Sequence, residues 1–257
     1  VGSEMCIRDR FNTAVIFIAG KDITLRNLTI ESTAGPGYLA GQALAVYAAA
    51  DRLSCYNCRF TGWQDTIFNG DPMTCNMKKL MLPDFFQASE VPIVHKFYRN
   101  YFKDCYVCGD VDYIFGPNTA FFDHCEIHSI ARVSEEKAYI TAASTPAGQE
   151  FGLIFSHCRI TGEEPDSVYL GRPWRDCAKT AFICCELGDH ICPEGWQNWG
   201  KVRAEVLSDY IEYGNFGPGA DCSGRSPLSR CLVNPEVETY FSKENVLVGE
   251  DGWIPAE

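Results

Sequence analysis

The sequence lacks any apolar run that approaches the ~18 residues of a membrane-spanning helix, so we expect no membrane span. It also lacks a linker rich in proline, glycine and serine, and this absence favours one domain over two in a chain of 257 residues. A composition of 46% hydrophobic and 13% aromatic residues is ample for one continuous core. We therefore predict a single elongated domain.

Positive charge is also scarce. The chain has 22 Lys and Arg residues against 34 Asp and Glu residues, a net charge of -12, and no visible basic patch. Nucleic acids and anionic membranes are recognised by such patches, so neither is an expected partner. A polyanionic substrate would have to bind at a local cluster of positive charge, because the net charge of the protein is negative.

Long amphipathic helices are absent, and a four-residue strand pattern recurs in their place. Each copy reads polar, small apolar, polar, large apolar, which is typical of a strand with one buried face. The intervals of 30, 47, 20, 33 and 27 residues lie within or near the range of solenoid repeats. We predict an all-β parallel β-helix, with a short helix only around Glu236 to Lys243. The copies begin at Asn27, Asn57, Asp104, His124, His157 and Cys184, and the last five have cysteine in second place.

The fourteen cysteines are spread too evenly along too long a chain to indicate a disulfide scaffold. We interpret the repeated cysteines as small buried hydrophobic residues, and many apparently unpaired thiols suggest a reducing compartment. Zinc is an alternative, because Cys55-x-x-Cys58 and Cys105-x-x-Cys108 could supply four thiolates. Strand geometry disfavours it, since residues three apart on a strand face opposite sides and neither pair contains a glycine or proline for a tight knuckle.

One aspartate-bearing turn occurs twice, as GWQDTIF (residues 62–68) and GDVDYIF (residues 109–115). Asp65 follows Cys58 by seven residues and Asp112 follows Cys105 by seven, so stacked coils would place the aspartates roughly 4.8 Å apart at the backbone. Two carboxylates that close cannot both ionise easily at neutral pH, which separates them into an acid and a nucleophile or base. The alternative is that both aspartates only cap turns.

The residues around these aspartates favour chemistry. Phe68 and Phe115 lie three residues beyond each aspartate and would stack as an aromatic strip suited to sugar rings, although two core phenylalanines would give the same pattern. Arg172 and Trp174 lie two residues apart, hence on one side of an extended segment, with Pro173 restricting the backbone between them. An arginine that reaches one aspartate would hold it ionised.

Taken together, these stretches resemble the pectin methylesterases, carbohydrate esterases built on a single-stranded right-handed parallel β-helix. The resemblance covers the chain from about residue 13 to its end, and it implies the same fold and the hydrolysis of galacturonate methyl esters. The matching stretches are GQALAV (41–46), GWQDTIF, GDVDYIFG (109–116), YLGRPW (169–174), GDHI (188–191) with Gly195-Trp196, and YGNFGPGA (213–220).

The resemblance also implies a role for individual residues. Asp112 corresponds to the nucleophile, and Asp65 to the acid that protonates methanol and then activates water. Arg172 corresponds to the partner that keeps Asp112 charged, and no metal or other cofactor is implied. Gln42 and Gln64 correspond to the amides that hold the oxyanion, and Trp174, Phe68 and Phe115 to the walls of the sugar cleft.

Two regions depart from the family pattern or limit the interpretation. Residues 69–97 widen the interval between the two aspartates, which predicts an inserted loop near the cleft. Lys78 and Lys79 in this loop could bind free carboxylates of the substrate, although an ordinary surface loop is favoured. Residues 1–10 show no kinship with the rest of the sequence and are interpreted as a non-native leader, with 11–257 as the catalytic domain. Further N-terminal coils are then expected to be missing, and localisation, whether secreted or in a reducing compartment, stays open.

The expected partner is methyl-esterified polygalacturonan (pectin) or its oligomers, bound by a monomer. A glycosidase or lyase acting on the pectin backbone is an alternative in the same fold, because carboxylates ~5 Å apart also suit a retaining glycosidase. A non-catalytic solenoid that only binds polysaccharide is a second alternative, since a fold does not confer activity.

Overall fold

The computed structural model describes residues 13–70, 95–133 and 136–256, and within these ranges most of the ordered backbone is strand and turn. The helices are α1 (Gly37–Ala40), α2 (Ala204–Leu207), α3 (Glu236–Tyr240) and α4 (Lys243–Leu247). None of the described helices combines the length and the apolar character that crossing a membrane requires. The strands are β1 (Ile16–Arg26), β2 (Thr29–Glu31), β3 (Val46–Tyr56), β4 (Arg59–Thr61), β5 (Ile67–Asn69), β6 (Arg99–Lys103), β7 (Tyr106–Gly109), β8 (Val111–Gly116), β9 (Thr119–Asp123), β10 (Glu126–Ser129), β11 (Ala138–Ala143), β12 (Leu153–Ser156), β13 (Arg159–Gly162), β14 (Val168–Gly171), β15 (Lys179–Ile183), β16 (Glu186–Leu187), β17 (Asp209–Tyr213) and β18 (Ser229–Leu232).

The strands form stacked coils of a right-handed parallel β-helix, as the sequence predicts. Over the described ranges, one sheet contains six strands in the order β16-β13-β10-β7-β4-β2. The other contains twelve, in the order β14-β11-β8-β5-β3-β6-β9-β12-β15-β17-β18, with β1 also paired to β3. The long strand β3 pairs with β5 through one half and with β6 through the other, so it joins two faces of the coil. The pairs formed by these strands are parallel, which stacks equivalent residues of successive coils above one another.

The predicted repeat is confirmed residue for residue. In the six-stranded sheet, the third residue of each copy pairs with the third residue of the next, although the intervals between copies differ. The loops therefore absorb all the variation in length. The register pairs are Thr29 with Arg59, Arg59 with Tyr106, Tyr106 with Glu126, Glu126 with Arg159, and Arg159 with Glu186.

Each copy begins with a residue in the left-handed backbone region, which turns the chain from one face to the next. Asparagine, aspartate and histidine tolerate positive φ better than most side chains, and five of the six copies begin with one of them. His124 and His157 are therefore turn residues. The φ angles are 55° at Asn27, 49° at Asn57, 52° at Asp104, 51° at His124, 53° at His157 and 53° at Cys184.

The repeated cysteines are buried, which agrees with the hydrophobic interpretation. Their thiols also donate weak hydrogen bonds within the turn and to the neighbouring coil; Cys158 Sγ, for example, contacts Ser156 O at 3.5 Å and Phe122 O at 3.3 Å. Among the described residues, neither cluster of three or more close metal-ligating atoms includes Cys55 or Cys105.

A disulfide joins Cys222 and Cys231 near the C-terminus, whereas the ten other described cysteines are unpaired. Cys222 lies in a 3-10 turn (Cys222–Gly224) and Cys231 in β18, both outside the repeated pattern. The strand repeat that predicted the burial of the repeated cysteines therefore could not predict this disulfide.

The predicted C-terminal helix is present but divided in two. Ser242 separates α3 from α4, and its hydroxyl accepts a hydrogen bond from Asn245 N at 3.4 Å as an N-cap. Residues 1–12 and 71–94 lie outside the described residues, so the leader at 1–10, the greater part of the 69–97 insertion, Lys78 and Lys79 remain predictions.

Candidate active site

Asp65 and Asp112 occupy equivalent positions on adjacent coils. β5 pairs with β8 through Ile67 with Ile114 and Phe68 with Phe115, a difference of 47 residues that also separates the two aspartates. Asp65 N donates to Val111 O at 3.0 Å, which fixes the register at the turn itself. The backbones of the two aspartates are therefore about one strand spacing apart.

The two turns share an unusual backbone conformation. Asp65 has a φ of 66° and Asp112 a φ of 51°, both in the left-handed region that aspartate tolerates. Gly109 lets the coils approach closely, because a Cβ at this position would lie 2.5 Å from Trp63 O. The two carboxylates are buried, with exposures of 1% for Asp65 and 5% for Asp112.

Arg172 forms a bidentate ion pair with Asp112. Nε donates to Oδ1 at 2.9 Å and Nη2 donates to Oδ2 at 2.7 Å, so the planar guanidinium matches both carboxylate oxygens. Arg172 N and Trp174 N donate to Thr141 O and Ala143 O, which holds this segment against the edge of β11. The pair favours the ionised carboxylate at Asp112.

Tyr139 and Trp199 hold the guanidinium of Arg172 in place. Its Cζ atom lies 3.9 Å from the centre of the Tyr139 ring and 3.8 Å from that of Trp199, both within cation-π distance. Lys201 Nζ lies 4.2 Å from the Trp199 ring centre and donates a hydrogen bond to Trp174 O at 3.2 Å. Burial lowers the pKa of Lys201. These contacts fix the arginine from several directions.

The predicted aromatic residues form one cluster. The ring centres of Phe68 and Phe115 are 5.1 Å apart, and Trp174 lies 5.7 Å from Phe115 and 6.4 Å from Phe68. Phe68 is 0% exposed, Phe115 1% and Trp174 8%, so the phenylalanines lie inside the wall and the tryptophan lies nearest its surface.

The two glutamines come from adjacent coils. Ala43 N donates to Gln64 O at 3.2 Å, so Gln42 lies within one residue of register with Gln64. Both glutamines are half-buried. A Cβ at Gly37 would lie 2.3 Å from Gln64 Oε1, so the glycine that begins α1 leaves the space this amide occupies.

A polar cavity of about 550 Å³ opens beside these residues. Its lining includes Gln64 and Arg172, and charged residues from the loop before β11 contribute to its rim. A second cavity of about 720 Å³ shares Tyr169 and Gln197 with the first, so the two adjoin. The charged residues of that loop that line the first cavity are Arg132, Glu136 and Lys137.

Buried titratable groups surround the pair. Asp110 is 5% exposed, and burial raises its pKa, with the Asp112 charge acting in the same direction. Burial likewise raises the pKa of Tyr139, against the opposing effect of Arg172. The site therefore has little bulk water to stabilise charge, which strengthens each fixed polar contact in it.

The structure thus brings Asp65, Asp112, Arg172, Gln64 and the aromatic cluster together, with Gln42 on the adjoining coil. Sequence reasoning missed Tyr139 and Trp199. Trp199 belongs to GWQNWG (195–200), where two tryptophans flank polar residues, and this was an available signal. Tyr139 lies in an ordinary strand sequence that carried none.

Comparisons with known proteins agree with this arrangement. A family model described as Pectinesterase matches residues 2–71 and 87–250, and the interruption falls within the predicted insertion. Pectinesterase 31 of Arabidopsis thaliana is 36% identical over 228 residues, covering 88% of this chain and 62% of that protein. The chain therefore spans less than two thirds of that relative's length.

Two solved structures give the same result. The pectin methylesterase from carrot superposes with a TM-score of 0.77 at 26% identity, covering 94% of this chain and 70% of that one. A pectin methylesterase in complex with hexasaccharide VII gives a TM-score of 0.69 at 25% identity, covering 95% of this chain and 74% of that one. Family, fold and relatives are thus consistent, and the chain belongs to the pectinesterase family.

Proposed function

We propose that this protein hydrolyses methyl esters of galacturonate units in pectin and releases methanol. The observation that supports this most strongly is the pair of buried aspartates on adjacent coils, one of which is held by a bidentate arginine. This arrangement makes the two carboxylates chemically different, which an acid and a nucleophile require. Membership of the pectinesterase family points to the same reaction.

In the first step, a carboxylate oxygen of Asp112 attacks the carbonyl carbon of the methyl ester, and the carbonyl oxygen becomes an oxyanion. Side-chain N–H groups of Gln42 and Gln64 donate to this oxyanion. A donor of this kind typically contributes about 10² to 10³ in rate. As the tetrahedral intermediate collapses, Asp65 transfers its proton to the departing methoxide, and methanol leaves.

The second step restores the enzyme. The galacturonate acyl group is now joined to Asp112 as an anhydride, and Asp65 is a carboxylate that can accept a proton from water. The resulting hydroxide attacks the acyl carbon, the bond to Asp112 breaks, and the galacturonic acid unit is released and loses its carboxyl proton to solvent, while Asp65 keeps the proton taken from water. Arg172 stabilises the returning negative charge on Asp112.

The sugar ring adjoins the aromatic cluster in this proposal. Trp174 supplies the face that contacts the sugar, and Phe68 and Phe115 support it from within the wall, because they are almost fully buried. Partly exposed Trp199 offers a second aromatic face while it holds Arg172. Arg132 and Lys137 provide the local positive charge that a partly de-esterified substrate needs near a protein of net charge -12.

Product analysis tests the proposal against the other reactions that suit this fold. The protein, acting as a monomer, is incubated with highly methylated pectin, and methanol and reducing ends are both quantified. Methanol without new reducing ends is the expected result. Reducing ends or unsaturated products without methanol would establish a backbone glycosidase or lyase. Binding of pectin with neither product would leave a polysaccharide-binding solenoid.

A further inference from the structure

Three metal-ligating side chains meet at the turn ladder, outside the proposed ester site. His157 and Cys184 begin consecutive copies of the strand repeat, each with a φ of 53°, and His157 N donates to Ile183 O at 2.9 Å. Their side chains therefore leave equivalent positions on adjacent coils. The third residue, Glu238, lies in α3, which packs across these turns.

The ligating atoms already lie close together. One atom each from His157, Cys184 and Glu238 form a group in which all distances are within 4.8 Å, and His157 Nε2 lies 3.7 Å from Glu238 Oε1. Bond lengths of ~2.0 Å to nitrogen and ~2.3 Å to sulfur in a tetrahedral zinc site separate neighbouring ligand atoms by roughly 3.5 Å. Small side-chain movements are enough to close the group around one ion.

The imidazole is oriented for this role. His157 Nδ1 is within 3.0 Å of Ser156 Oγ, and the ring stacks on His124 at 5.2 Å with an interplanar angle of 7°. A hydrogen bond to one ring nitrogen commonly fixes the orientation of a metal-ligating histidine, and here it leaves Nε2 directed toward Glu238.

The group is also accessible. The side chains of His157 and Glu238 are 41% and 52% exposed, and Cys184 is half-buried. The repeated cysteines at the other coils are buried and cannot offer a thiolate to an incoming ion without opening the coil.

We propose that His157 Nε2, Cys184 Sγ and the Glu238 carboxylate bind a zinc-like divalent cation. Thiolate, imidazole and carboxylate are the ligands zinc takes, with water in the fourth position, and a thiolate disfavours magnesium and calcium. On binding, the Cys184 S–H proton passes to solvent and the thiolate sulfur bonds to the metal. Because the ligands come from two coils and α3, the ion joins the C-terminal segment to the β-helix.

Cobalt(II) is the probe, because a cobalt–thiolate bond produces a charge-transfer absorption that nitrogen and oxygen ligands do not. The intact chain, with its disulfide oxidised, is titrated with Co²⁺ and then with Zn²⁺. We expect one strong site per chain with thiolate absorption, displacement by Zn²⁺, and a higher melting temperature with Zn²⁺. Cys184→Ser is expected to remove the absorption, and His157→Asn and Glu238→Gln to weaken binding more than about tenfold. Ser156→Ala, which removes only the orienting hydroxyl, is expected to weaken binding by about 10- to 100-fold.

Cys177→Ser, which removes another partly exposed thiol, serves as the matched control. It should bind cobalt like the unchanged chain. The proposal is overturned if the unchanged chain shows no thiolate–cobalt absorption at millimolar Co²⁺, or if the absorption survives in Cys184→Ser.

Discussion

At the scale of single residues, the proposed chemistry depends on which side chains contact each of the two aspartates. Asp112 and Asp65 occupy the same backbone conformation on adjacent coils, yet Arg172 makes its bidentate ion pair with Asp112. The guanidinium carbon of Arg172 also lies 3.9 Å from the ring centre of Tyr139 and 3.8 Å from that of Trp199. The difference between the two aspartates thus arises from their partners rather than from their backbone.

The geometry of this ion pair, and not only its charge, is expected to matter. Arg172→Lys keeps the positive charge but loses the fork that meets both carboxylate oxygens and the flat face that stacks on two rings. We expect a decrease in kcat of about 10- to 100-fold, since a hydrogen bond to a charged group contributes about 1.5–3 kcal/mol. Methanol release is the measurement. Arg159→Lys, at an exposed arginine paired with Glu126, should leave the rate unchanged, and an equal loss in both variants would contradict the account.

His190 is a second residue whose surroundings decide its protonation. It is 1% exposed, and a Cβ at Gly162 would lie 2.5 Å from its ring. Within the described ranges neither ring nitrogen has a hydrogen-bond partner. Burial lowers its pKa from 6.5 to about 4, against the opposing charge of Asp189. The folded protein therefore holds this histidine neutral.

This lowered pKa predicts a loss of stability in acid. The unfolded chain takes up the proton near pH 6.5 and the folded chain only near pH 4, so the contribution is complete above 6.5 and is lost as the pH falls toward 4. Its size is on the order of 3 kcal/mol. Urea unfolding of His190→Asn across this range should show a shallower decline than the unchanged chain, whereas His124→Asn should match it. Identical slopes for all three proteins would refute the effect.

At the scale of the elements, the strand ladder was predictable because it is periodic. Each copy repeats a one-sided pattern, and the turn residues such as His124 and Asp104 are types that tolerate positive φ. Elements outside the repeat were harder. The division of the C-terminal helix depends on the Ser242 cap, and the Cys222 to Cys231 disulfide joins two elements without a periodic signal.

The C-terminal helices are tied to the coils by Arg99, a contact no local pattern suggests. The guanidinium donates to both carboxylate oxygens of Asp51 at 3.0 Å, to those of Asp251 at 2.6 and 2.8 Å, and to Leu247 O at 3.1 Å. The side chains of Arg99 and Asp51 are 5% and 3% exposed. This network raises the pKa of Arg99 and lowers that of Asp251.

Removing this arginine is expected to be costly. Arg99→Met removes the bidentate partner of the buried Asp51 carboxylate and leaves Arg52 Nη1, at 3.6 Å, as its remaining cationic partner among the described residues. Breaking a buried pair in this way costs about 3–5 kcal/mol of unfolding free energy. Chemical denaturation measures the change. Arg159→Met breaks an exposed pair instead and should cost less than about 1 kcal/mol. Comparable losses in the two variants would show that the network does not secure the C-terminal segment.

At the scale of the whole molecule, stacking converts a sequence interval into a distance. Asp65 and Asp112 are 47 residues apart in sequence and about one strand spacing apart at the backbone, because the coil register takes up the loop between them. That relation let the fold and the proximity of the two aspartates be predicted from spacing and resemblance. The Tyr139 and Trp199 contacts to Arg172 could not be predicted, since they depend on how a strand residue and a loop residue from different parts of the chain meet at the same arginine.

The most direct measurement of the central claim is the rate of methanol release from highly methylated pectin by Asp112→Asn. The account predicts that this variant folds normally and releases no methanol above background, because an amide cannot replace the attacking carboxylate. Asp104→Asn is the matched control, an exposed aspartate with a similar φ of 52°, and it should retain full activity. Methanol release by Asp112→Asn at a rate close to that of the unchanged protein would contradict the account.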